Sequence, residues 1–118
     1  MSVKITSINY CPVKSVSFQS IENCKIKKNT GIIGDRIFAF AKDLDLEQVK
    51  LFEKSPLERK GKWNKVLTLK NSPALNKYNF IFKDEKLTLT LKDKEILSID
   101  INQSSEREAL SNKISELE

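Results

Sequence analysis

The chain has 118 residues, of which 39% are apolar and 31% charged, with a formal charge of +5. That length supports one core and excludes a two-domain protein. No apolar run approaches the ~20 residues of a membrane-spanning helix, and the start Met-Ser-Val-Lys-Ile-Thr lacks the apolar stretch of a secretory signal, so a cytoplasmic protein with no membrane partner is expected.

Two cysteines, Cys11 and Cys24, and no histidine leave no zinc shell and no Ser–His or Cys–His pair. No catalytic residue and no metal ligand is therefore assigned. Both thiols are expected to pack as small hydrophobes. The charge is uneven: residues 1–70 hold 14 Lys and Arg against 7 Asp and Glu, and residues 71–118 hold 7 against 9. The first part attracts anions. Because 18 of the 21 cations are Lys, only those placed beside turns are read as a site.

Val3 to Tyr10 predicts a strand through Val3, Ile5 and Ile8. Pro12 has no N–H for a ladder, so Lys14 and Ser15 fall on a turn. Ser-Phe-Gln-Ser (17–20) then leads into a strand over 20–27. Lys28-Asn29-Thr30-Gly31 makes the next turn, with Gly31 free to take positive φ. Gly34 permits close approach of the backbone, Asp35 can accept turn N–H groups and hold Arg36, and a strand follows over 36–42. A lysine, a hydroxyl, turn amides and an arginine at one sheet end suit an oxyanion such as phosphate.

The period changes over 43–54, where Leu46, Val49, Leu51 and Phe52 predict a short amphipathic helix capped by Asp43 or Asp45 and ended by Ser55-Pro56. Leu57 to Asn64 is charged and turn-like, with Trp63 read as a loop anchor. Val66 to Lys70 predicts a strand, and Ser72-Pro73 the start of a helical turn. Three strands follow, alternating through Phe80 and Phe82, through Leu87, Leu89 and Leu91, and through Leu97, Ile99 and Ile101, an antiparallel meander with one buried face. Ser105-x-x-Glu108 has the spacing of a capping box, and Leu110, Ile114 and Leu117 make a helical stripe.

Three stretches carry a resemblance: Tyr10-Cys11-Pro12-Val13-Lys14-Ser15, Gly31-Ile32-Ile33-Gly34-Asp35-Arg36, and Val66 to Leu75. In this order they resemble the N-terminal β-barrel domain that precedes MOSC domains (molybdenum cofactor sulfurase C-terminal), as in YcbX-like proteins and amidoxime reducing components. The resemblance implies a mainly β fold, a small antiparallel β-barrel, to which the periodicity adds a short inserted helix at about 43–54 and a C-terminal helix at about 105–117. It divides the chain into a barrel, 1–103, and a helical linker, 104–118, toward a missing MOSC domain, the expected partner. It also implies a molybdenum cofactor in the complete protein, though none in the isolated chain, and a parent sulfurase-like protein or oxidoreductase with a redox partner. Lys14, Ser15 and Arg36 would contact the pterin phosphate, Asp35 would orient Arg36, and Gly34 would let the turn approach. Lys70 stands where the family usually has Arg, a point charge in place of a planar fork. The stretch 43–65 departs from the family pattern as an insertion.

Two other functions fit the residues alone. One is a free-standing protein-interaction barrel that uses the terminal helix and the 43–65 stretch. The other is an anion- or nucleic-acid-binding barrel. Nucleic acid is disfavoured because Phe38, Phe40, Phe80 and Phe82 are expected in the core and not on a stacking face.

Overall fold

A computed structural model describes residues 2–16 and 18–118. Met1, and Ser17 at the head of the expected 17–20 connection, lie outside the described residues. Seven strands form three small antiparallel sheets, joined by two helices and short 3-10 turns. β1 (Ile8–Tyr10) pairs with β2 (Gln19–Ile21), and β3 (Ile26–Lys27) with β4 (Gly31–Ile32). The meander β5 (Tyr78–Lys83), β6 (Lys86–Leu91) and β7 (Lys94–Asp100) forms the largest sheet. Its turns use positive φ at Asp84, Glu85, Lys92 and Asp93, as two-residue hairpins require to match strand twist. Antiparallel β structure with one inserted and one terminal helix is thus as expected. Among the described residues no ladder joins the three sheets into a ring.

Four expected strands are shorter than their alternation predicts. Val3 and Ile5 are exposed, and pairing begins only at Ile8. The 20–27 segment splits into β2 and β3 around a bend. The 36–42 and 66–70 segments form no continuous strand and make only isolated bridges, Val13 with Phe38 in parallel and Ala41 with Val66 antiparallel. The cause is a change of partner: Phe38 bonds to the 12–14 segment, whereas Phe40 O and Lys42 N bond to Leu67 N and Lys65 O. A segment that serves two neighbours in turn builds no continuous ladder.

The core lies between the meander and the second helix. Phe80, Leu89 and Leu87 from the sheet meet Leu75, Val13 and Leu67 from the loops and Leu110 and Ile114 from α2 (Ser104–Leu117). Phe40 and Phe38 reach this core from the bridging segment. Phe40 tilts against Phe80 at 5.7 Å, and Phe38 meets Phe82 edge-on at 5.2 Å between ring centroids. Both rings are therefore core, as the alternation predicts. The β1–β2 hairpin is clipped to β5 at the same place, because Phe82 N donates to Gln19 Oε1 and Phe82 O accepts from Tyr10 OH.

The α2 stripe is where the sequence places it, but the capping box is not. The helix begins at Ser104, one residue before Ser105, with no side-chain cap, and Glu106 accepts the N–H of Asp100 instead. The N-cap is Gln103, two residues before Ser105, so Ser105 falls inside the first turn, where its hydroxyl no longer serves the N-cap position. At the other end, Ser72 Oγ donates to Glu118 Oε1, and the Lys42 ammonium forms an ion pair with the same oxygen. Lys42 above all holds the Glu118 carboxyl below its ordinary value, with Ser72 assisting. A lowered carboxyl stabilises the fold above the unfolded value and loses that contribution as pH falls through the folded one. Glu118→Gln should therefore unfold at lower urea than wild type at about pH 7, and the gap should shrink as pH falls below the ordinary carboxylate range and through the lowered folded value. A gap that persists at the acid end would show that the ion pair is not its source.

Candidate anion-binding groove

Pro12 and Gly34 decide the local backbone. After Tyr10 the chain leaves β1, and the 11–14 segment lies alongside 35–38. Arg36 N donates to Cys11 O at 2.6 Å, Phe38 N to Pro12 O at 3.0 Å, and Lys14 N to Phe38 O at 2.8 Å. The Lys-Ser turn and the Asp-Arg turn are thereby held side by side. Gly34 has φ +94, and a Cβ built there would lie 3.0 Å from Tyr10 Cε2. The expectation that Gly34 allows close approach is thus realised against an aromatic ring. Burial pushes the Tyr10 phenol up from its ordinary value.

Asp35 joins the two turns. Its Oδ1 accepts the N–H of Cys11 at 2.9 Å and its Oδ2 accepts Arg36 Nε at 2.9 Å. Arg36 itself is an L residue at φ 51, and Ser15 sits at φ 63. Such left-handed positions cost of order 1–3 kcal/mol and recur at ligand clamps. The Arg36 guanidinium is mostly exposed, so its bond to Asp35 fixes direction more than it adds stability. Cys11 is buried with its thiol donating to Val13 O, and Cys24 is half-buried.

The six residues do not converge on one point. Lys14 and Arg36 line a groove of about 440 Å³. Ser15 and Lys70 line a separate, open cavity beside Cys11 and Thr68. Gly34 and Asp35 stand behind Arg36 and fix its backbone and side chain. The left-handed turn at Ser15 sends consecutive residues in opposite directions, which the sequence alone does not reveal.

The far wall of the groove comes from the 43–65 stretch. α1 (Leu46–Lys54) begins at Asp45, which accepts Gln48 N while Gln48 Oε1 accepts Asp45 N. Its Val49 and Phe52 face the groove, and Arg59 Nε donates to Phe52 O from the 3-10 turn that follows. A second 3-10 turn brings Trp63 under Lys14, with the ammonium 5.8 Å from the ring centre. Trp63 is 57% exposed, so it lines the groove and is not a buried anchor. Lys62 and Arg59 add two further cations. Sequence reading missed their convergence because Arg59, Lys62 and Lys14 are brought together only by the turn geometry of 55–65. The cluster of lysines beside a lone tryptophan was the available signal. Among the described residues, none of Lys14, Arg59 and Lys62 is ion-paired, and no group of three His, Cys, Asp or Glu is placed to hold a metal. No described helix is long and apolar enough to cross a membrane.

Fold and site together define a small antiparallel β domain with a cation-lined groove beside its N-terminal turn. The chain belongs to the MOSC N-terminal beta barrel domain family, whose family model matches residues 2–118. Comparisons with curated proteins and with solved structures found no match.

Proposed function

We propose that this domain serves as the N-terminal accessory unit of a molybdenum-cofactor protein, holds the pterin phosphate of that cofactor, and packs on a MOSC domain reached through the 104–118 segment. The observation that carries this reading is the parallel seam between residues 11–14 and 35–38, which brings Lys14 and Arg36 to one groove. The donor set suits the phosphate end of the cofactor: an exposed guanidinium aimed by Asp35 and a lysine without a carboxylate partner offer charge-assisted bonds. The metal would supply the redox or sulfur chemistry, while this chain's residues bind and orient. Ser15 and Lys70, in the neighbouring cavity, would meet the ligand or the partner domain from the other side of the turn.

Titration with inorganic phosphate, followed by calorimetry, tests the site without any metal. Lys14→Ala and Arg36→Ala should each weaken binding about 10- to 100-fold, the equivalent of one charge-assisted bond of about 1.5–3 kcal/mol. Circular dichroism should be unchanged, since Arg36 is exposed, Lys14 is half-buried, and neither belongs to the core. Equal phosphate affinity in wild type and both variants would remove the assignment.

A further inference from the structure

The 43–65 stretch gives the groove a property that a phosphate alone does not use. Trp63 is the chain's one tryptophan, and more than half of its surface faces solvent. Lys14 meets the indole, and the rest of the ring is open to the groove. The floor is apolar, built from Phe38, Phe52 and Val66. Around that floor stand Lys14, Arg36, Arg59 and Lys62 against one carboxylate, Glu53. Apolar surface left in water is unfavourable. A groove with an apolar floor and a rim dominated by one sign of charge fits a ligand with the complementary halves.

We infer that Trp63 is a specificity-determining residue, and that the groove takes a compact organic phosphate whose planar ring lies on the indole while its acidic group meets Lys14 and Arg36. The inference rests on the anion-binding reading above and extends it: the anion site sets that a phosphate binds, and Trp63 sets what the phosphate carries. Stacking of a ring on an aromatic side chain contributes enough to be read in an affinity comparison, commonly tenfold or more. Lys62 and Arg59 strengthen the field without choosing the ring.

Phenyl phosphate, inorganic phosphate and phenol separate the contributions. Wild-type protein should bind phenyl phosphate at least tenfold more tightly than either of the other two, and the single tryptophan should report it as a change in emission on excitation at the red edge of its absorption. Trp63→Ala, followed by calorimetry, should bring phenyl phosphate down to the affinity that the same variant shows for inorganic phosphate. Trp63→Phe should restore most of the difference, as expected for stacking on any aromatic ring. The exposed position of Trp63 leaves the core of both variants intact. Equal binding of phenyl phosphate and inorganic phosphate to wild type would overturn the role of Trp63 and leave the anion site standing. Phenol binding as tightly as phenyl phosphate would overturn it too. Failure of every phosphate to bind would remove the anion site and this inference with it.

Discussion

Phe80→Ala is expected to lower stability by about 3–5 kcal/mol. Phe80 is 1% exposed, on the central path between the meander and the bridging segment. Its ring packs against Phe40, so removing it opens a cavity beside a second aromatic. A domain of this size has roughly 5–15 kcal/mol in total, so the variant should lose a large share of its stability. Urea unfolding should show a fall in midpoint with the slope unchanged, the sign of lost stability without a change in the surface exposed. A loss below ~1 kcal/mol would mean that the core collapses into the space, contrary to the range seen for buried aromatics. Phosphate binding by the fraction still folded should be normal, because Phe80 lines neither cavity.

The meander was legible because alternation in Phe80–Phe82 and in Leu87–Leu89–Leu91 is set by the pleat alone. The same logic read the α2 stripe, where the signal is local and repeats within one turn, and of the two candidate caps, Asp43 and Asp45, the structure uses Asp45. It overran at 36–42 and 66–70. There the apolar alternation is genuine and Phe38 and Phe40 do point inward, but hydrogen-bond partners change from residue to residue. Side-chain period reports which face is buried, not who supplies the next N–H. Gly34 and Asp35 were readable from their chemistry, since glycine tolerates positive φ and a turn aspartate accepts N–H groups. The split between Lys14 and Ser15 was not, because the sign of φ at Ser15 decides it and an L residue gives little warning. Trp63 was read as packed because a lone aromatic most often is. Its place under Lys14 depends on two 3-10 turns whose residues carry no period at all.

Gly34→Val should cost about 2–6 kcal/mol and should weaken phosphate binding in the same step. Two penalties add here. A β-branched residue at φ +94 lies outside the regions open to L side chains, worth about 1–3 kcal/mol. The added Cβ meets Tyr10 Cε2 at 3.0 Å, and its methyls must then displace a ring whose hydroxyl is tied to Phe82 O. Overpacking of that kind costs about 1–3 kcal/mol more. The displacement would fall on the segment that carries Asp35 and Arg36, whose bonds to Cys11 hold the seam closed. Gly31 supplies the control, because it has φ +89 and nothing within 4 Å of its added Cβ. Gly31→Val should show the backbone penalty alone, with phosphate affinity unchanged. If both variants lose stability equally and both bind phosphate like wild type, Tyr10 gives way freely and the seam does not position Arg36. If Gly34→Val alone loses affinity, the contact between glycine and tyrosine is what aims the arginine, and the short distance in the fold is the physical origin of the site.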